Sequence, residues 1–564
     1  MTGSRGRARE RNGQRLAVVG GVFVAVATVV GFGSFALLGD DEAEGEPSNI
    51  AATDDPSGQD PSEDSGPPTE QEVLETSGAF LDAWEAGDVR AAAALTDDEE
   101  AARAALDALP ERASLSELTL NESTPSGGSV PFTVDAVVEY EDAGATQQQD
   151  WSYDSELTVV RDEGSDQPVV RWEPTVLHPG LGEGQSLETG PVSELPPVEM
   201  LDRNGDVLTA EEHPTLAGVI ADVRERYAEE AGGSTGTELR IVDAEGKRVE
   251  QLVELAEPTA GQVPTTIDPA VQAATEQAVR NADGDRASAV AIQPSTGEIL
   301  AVANKPAEGF DTALQGSYAP GSTFKIVTSS LLIEEGLASA GASHPCPKEF
   351  EYGGWPFHND DNFDIKDGTF ADSFAASCNT AFISQAPELE DDSLGNHARD
   401  VFGLGLTWEV GVQTLDGSVP TQSDAQMAAS LIGQGGVRMN PLTMASVSAT
   451  VKNGGFLQPY LVPPSFDGRT LAQASSALDP AAAAELRGLM NTTALWGTAA
   501  EAMSGVSGDI GAKTGSAEVD GQEKPNAWFT GYSDDLAVAA VVPNSGHGGE
   551  FAGPVVAEVL NAAP

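Results

Sequence analysis

The chain has 564 residues, 40% of them hydrophobic, and sets 90 acidic against 29 basic residues for a net charge of −61. Length gives a prior of about three to four domains, and the charge excludes nucleic acid as a partner because phosphate would be repelled. Two cysteines and six scattered histidines offer no metal-ligand spacing, so neither a metal nor another cofactor is expected.

Residues 1–15 are the basic exception, with Arg5, Arg7, Arg9, Arg11 and Arg15 against one Glu10. Residues 16–38 then run without a charge. At ~1.5 Å rise per residue this segment spans a ~30 Å hydrocarbon core. A basic front before an uncharged run predicts a single-pass transmembrane helix at 16–38, with residues 1–15 cytoplasmic and the rest of the chain extracellular. A cleaved signal peptide has a shorter apolar stretch and a small-x-small end, which is not seen here. Residues 39–70 hold eleven acidic and no basic residues among Pro, Ser and Gly. This composition predicts an extended, disordered linker.

From about Gln71 the pattern changes. Val73, Phe80 and Trp84 share one helix face, and a second, Ala-rich helix is predicted over 97–109. Three alternating stretches at 129–140, 150–160 and 168–176 read as an antiparallel meander. Residues 71–178 are therefore expected to form a small α+β domain. Residues 179–264 are Gly-rich and polar, and include Asp202-Arg203-Asn204-Gly205. Asp268-Pro269 opens a helix to about Ala282, and strands at 288–293 and 298–304 flank the turn Pro294-Ser295-Thr296-Gly297. Residues 265–564 read as one α/β domain.

Three short motifs stand in that domain. Lys is scarce, with eight in the chain. Lys325 completes Ser322-Thr323-Phe324-Lys325, and Lys513 opens Lys513-Thr514-Gly515-Ser516. Between them lies Ser377-Cys378-Asn379. The sequence holds one S-x-x-K, one S-x-N and one K-[ST]-G, in that order. Pro320-Gly321 precedes Ser322 and apolar residues follow, so Ser322 is expected at a helix N-terminus, where backbone N–H groups favour developing negative charge. Lys325, one turn on, faces the Ser322 hydroxyl. It can take that proton only if its own pKa falls, and burial or the charge of Lys513 would lower it.

With these motifs the chain resembles the class B penicillin-binding proteins, whose transpeptidase domain carries the same three elements. Leu431-Ile432-Gly433-Gln434-Gly435 and Asn440-Pro441-Leu442-Thr443-Met444-Ala445 are phrases of the same family. The region before it resembles the amino-terminal extension domain of the methicillin-resistance type, a nuclear transport factor 2-like cone. Residues 179–264 correspond to a reduced pedestal, or dimerisation, domain.

The resemblance implies an antiparallel sheet flanked by helices at 265–564, and a peptidoglycan D,D-transpeptidase acting through an acyl-enzyme on Ser322. Lys325 would be the base. Ser377 would relay a proton to the leaving amine, Asn379 would hold the substrate amide, and Lys513 would add positive charge. Gly515 would leave room for the substrate backbone. The Ser322 and Ser516 N–H groups would bind the oxyanion, and the Thr514 and Ser516 hydroxyls the substrate carboxylate. The expected partners are stem peptides ending in D-Ala-D-Ala, β-lactams, and the cell-wall machinery of the membrane. A D,D-carboxypeptidase and a class D-like β-lactamase or sensor are the alternatives. The latter usually has S-x-V in place of S-x-N. Cys346 and Cys378 lie between the first and third motifs, and a bridge and two buried thiols both remain open.

Overall fold

The structure, a computed structural model, describes residues 66–562 apart from 143 and 193. The basic tail, the uncharged segment at 16–38 and the linker up to residue 65 lie outside the described residues. Among those described, no helix is long and apolar enough to cross a membrane.

The first helix, Glu70–Glu85, starts from a reciprocal cap. The Thr69 hydroxyl accepts from the Glu72 N–H, and the Glu72 carboxylate accepts from the Thr69 N–H. Its buried face carries Val73, Phe80 and Trp84, with Trp84 edge-on to Phe132 at 6.1 Å. A short helix, Val89–Ala93, precedes the Ala-rich helix Glu99–Arg112. Four strands follow as a meander in sequential order: Leu115–Glu122, Ser129–Asp142, Ala145–Arg161 and Pro168–Val170. The last is shorter than expected. Pro174, which has no N–H to give a ladder, begins a 3₁₀ turn, Pro174–Val176, instead.

Residues 179–264 divide their apolar side chains between two neighbours. A three-stranded sheet of Ser186–Pro191, Thr237–Val242 and Arg248–Ala256 sends Leu187, Leu239, Ile241 and Leu255 into the core that holds Phe80, Leu106 and Trp151. Met200, Leu208, Ile220, Val223, Tyr227 and Val263 pack instead with Val290, Phe324 and Phe374. The segment has no core of its own, and residues 66 onward form one compact unit. A cavity of about 330 Å³ beside helix Glu99–Arg112, lined by Ala105, Leu109, Trp172 and Leu177 among others, contains none of the motif residues.

The carboxy-terminal domain is built on five antiparallel strands: β1 Ala287–Ile292, β2 Ile299–Lys305, β3 Ile510–Ala517, β4 Asn526–Ser533 and β5 Leu536–Val542, in the order β2-β1-β5-β4-β3. Both faces are buried, and alternation along β5 shows how. Val538, Ala540 and Val542 face the core made with helices Pro269–Asn281 and Gly553–Ala562. Ala537, Ala539 and Val541 face the other core, where helix Pro441–Asn453 packs. β3 is an edge strand and pairs only with β4. Helix Lys325–Glu334 runs through the second core, with Lys325 to Leu332 all buried.

Candidate active site

Ser322 sits in a single 3₁₀ turn, Gly321–Phe324, and Lys325 is the first residue of the α-helix that continues from it. The tighter turn keeps the two side chains together, and Lys325 Nζ lies 3.0 Å from Ser322 Oγ. The same amine lies 2.8 Å from the Ser377 carbonyl oxygen and 2.8 Å from Asn379 Oδ1. Lys325 is fully buried. Burial, and second the charge of Lys513, holds its pKa well below the ordinary lysine value.

That set of partners accommodates a neutral amine. A carbonyl and an amide oxygen only accept. A neutral amine gives its two N–H bonds to Ser377 O and Asn379 Oδ1. Its lone pair is then left for the Ser322 hydroxyl.

Ser377 joins both lysines. Its carbonyl receives Lys325, and its hydroxyl receives Lys513 Nζ at 2.8 Å. Its backbone is left-handed, with φ 60°, which is costly for a residue with a side chain. Lys513 also donates to the Thr514 carbonyl at 3.0 Å and is fully buried, which pulls its pKa down to about 7. Each amine stands near an aromatic face, Lys325 over Phe382 at 5.4 Å and Lys513 over Phe374 at 5.6 Å.

The loop that carries Ser377 and Asn379 is held by a residue that the motif reading does not contain. Asn359 is fully buried. Its Oδ1 accepts from the Asn379 and Thr380 N–H groups at 2.8 and 3.1 Å. Its Nδ2 donates to the Pro347 and Phe363 carbonyls at 2.9 and 3.0 Å. Cys346 and Cys378 are bridged, with Cα atoms 6.1 Å apart, and so tie the same loop to the segment beside Pro347.

β3 brings the third motif alongside the Ser322 turn. The expected reason for Gly515 was a clear path for substrate; the structure supplies a different one. A Cβ at Gly515 would lie 2.8 Å from the Pro320 carbonyl and 3.0 Å from the Thr323 nitrogen. The glycine lets the strand rest on the turn that carries Ser322. Thr514 is buried and its hydroxyl lies 2.6 Å from that of Thr498. Ser516 is partly exposed and its hydroxyl is 3.5 Å from His547 Nδ1. No group of three or more His, Cys, Asp or Glu side chains that could hold a metal is found among the described residues.

Residues 287–561 match the penicillin binding protein transpeptidase domain, and residues 73–185 match the NTF2-like N-terminal transpeptidase domain. The peptidoglycan D,D-transpeptidase PbpA of Mycolicibacterium smegmatis is 30% identical over 383 residues, covering 56% of this chain and 75% of that protein. PbpA of Mycobacterium tuberculosis is 29% identical over 379 residues, with the same coverage. Penicillin binding protein 3 of Mycobacterium tuberculosis, solved in complex with ampicillin, superposes with a TM-score of 0.50 at 21% identity, over 66% of this chain and 95% of that one. At that identity the likeness concerns the fold. By its matching domains and its PbpA relatives, the chain belongs to the penicillin-binding protein transpeptidases that carry an NTF2-like amino-terminal domain.

Proposed function

We propose that this protein is a peptidoglycan D,D-transpeptidase that cross-links stem peptides through an acyl-enzyme on Ser322. The observation that carries the reading is the Lys325 amine, buried, committed by two N–H bonds to acceptor-only groups, and 3.0 Å from the Ser322 hydroxyl. Ser322 Oγ attacks the carbonyl between the two D-Ala residues as Lys325 takes its proton. The Ser322 and Ser516 N–H groups stabilise the oxyanion. The C–N bond then breaks, and the departing D-Ala amine takes a proton along the Ser377 hydroxyl, which Lys513 holds. A second stem peptide's amine attacks the ester and restores the Ser322 hydroxyl. Asn379 orients the substrate amide, and the Thr514 and Ser516 hydroxyls receive the terminal carboxylate. β-Lactams acylate Ser322 by the same first step, as the ampicillin complex of the Mycobacterium tuberculosis protein suggests.

The domain reading follows: a cytoplasmic tail at 1–15, a membrane anchor at 16–38, an acidic linker at 39–70, the NTF2-like domain at 71–178, a reduced pedestal at 179–264 and the catalytic domain at 265–564. The basic residues before the uncharged segment support a catalytic domain outside the cell membrane, where it would work with the cell-wall machinery.

The test is covalent labelling by benzylpenicillin followed by peptide mapping. The expected adduct is on Ser322, absent in Ser322→Ala with the fold unchanged. An adduct elsewhere overturns the assignment. With a donor stem peptide and an acceptor amine, D-Ala release should come with a cross-linked product; release without it would make the enzyme a D,D-carboxypeptidase.

A further inference from the structure

We propose that His547 is a specificity residue that contacts the substrate's terminal carboxylate, and that Asp360 competes with the substrate for it; this rests on the transpeptidase reading above. His547 follows the turn after β5, on the wall of the site that carries Ser516. Asp360 follows Asn359, on the opposite wall, in the loop that holds Asn379. One ring atom, His547 Nδ1, lies 3.5 Å from Ser516 Oγ and 3.6 Å from Asp360 Oδ2. Both distances are at or past the limit of a hydrogen bond. The nitrogen is therefore firmly held by neither, and an anion can draw it in. Both side chains are open to solvent, at 64% for His547 and 67% for Asp360. The Asp360 loop is anchored by buried Asn359 and turns through two left-handed residues, Asp361 and Asn362 with φ 52° and 53°. Its course past β3 is thus fixed by the same residue that sets Asn379.

The chemistry of the mouth explains why such a group is useful. D-Ala-D-Ala peptides and penicillins both end in a carboxylate. The hydroxyls available to it are neutral, and that of Thr514 is already paired with Thr498. The Lys513 amine is spent on Ser377 and the Thr514 carbonyl. Another nearby cation, Lys524, lies over the Phe551 ring at 5.8 Å. On a chain of net charge −61 an anionic substrate meets a repulsive field. The His547 imidazole beside Ser516 presents an exposed ring nitrogen that can donate to a carboxylate. Asp360 presents it with the same chemical group as the substrate, so the two exclude each other.

The test uses the full-length chain and measures the second-order rate constant for acylation by benzylpenicillin, read by intact mass. His547→Gln should slow acylation about three-fold, the scale of one exposed side-chain contact. His547→Lys should restore the rate. Asp360→Asn should speed acylation by a similar factor, and that gain should vanish in the H547Q background. A pair that merely supports the structure would move both single variants in the same direction. That result, or an undiminished D360N gain in H547Q, overturns the inference while leaving the transpeptidase reading intact. Failure of the wild-type chain to acylate at Ser322 overturns both.

Discussion

Asn359→Ala separates the support of the site from its chemistry. Asn359 touches neither Ser322 nor Lys325 by any hydrogen bond; it holds the backbone of the residues that do. Four backbone groups depend on it: the Asn379 and Thr380 N–H groups and the Pro347 and Phe363 carbonyls. Each such bond is worth about 1 kcal/mol net, and leaving a buried partner unpaired costs as much again or more. The bonds share one side chain and are not additive, so a loss of about 2–4 kcal/mol is expected. The kinetic effect follows from Asn379, whose Oδ1 is one of two acceptors fixing the Lys325 amine. A displacement of about 1 Å at a reacting pair can slow a reaction by ~10²-fold. Thermal melting reads the first quantity and benzylpenicillin acylation of the folded protein reads the second. If N359A melts lower yet acylates within about two-fold of wild type, Asn359 is scaffolding only and the positioning argument fails.

Lys325→Arg keeps the charge but cannot supply a neutral amine near pH 7; acylation should fall by about 10²–10⁴, and a near-normal rate would place proton abstraction elsewhere. Burial holds the folded-state pKa of Lys513 at about 7 against about 10.4 in an unfolded chain. The unfolded state therefore binds more protons in that window, and stability should climb as pH rises through it, the cost being full below about 7 and gone above about 10.4. Lys325, also depressed, acts in the same direction, so denaturation midpoints of Lys513→Met should show a flatter rise between pH 7 and 9; an unchanged slope would refute the burial argument. The Cys346–Cys378 bridge spans 32 residues, and replacing both by Ser should cost about 3–4 kcal/mol by loop entropy and slow acylation, since Cys378 adjoins Asn379. Equal melting of the wild type with and without reductant would contradict it.

Ser322, Lys325, Ser377, Asn379 and Lys513 were legible because each sits in a short phrase of residue types, although the contacts of Ser377 with Lys325 and Lys513 span 52 and 136 residues. A helix turn brings residue 325 to residue 322 without help from elsewhere. Asn359 was not legible. It works by binding main-chain atoms about twenty residues away, and a side chain that bonds to backbone leaves no pattern of residue types at its target. Gly515 was legible as a residue that must lack a side chain, but the obstacle it avoids, the Pro320 carbonyl, comes from a segment nearly two hundred residues earlier. Helix Glu70–Glu85 announced itself through one apolar face and helix Glu99–Arg112 through its run of alanines, whereas their caps came from the structure. Strand Leu115–Glu122 did not, because it lies at the sheet edge and no residue of it is fully buried, which removes the alternation that marks a strand.

The division of residues 179–264 between two cores bears on how the enzyme can move. A joint swings when its two sides meet through a small, wet contact. Here Leu187, Leu239, Ile241 and Leu255 are locked into one core, and Met200, Ile220, Val223 and Tyr227 into the other. Swinging one side against the other would pull apolar side chains into water. The NTF2-like domain and the nucleophile therefore travel together as a strut of fixed length. Any search for a second stem peptide is then made by displacing the whole body rather than by a hinge within residues 179–264.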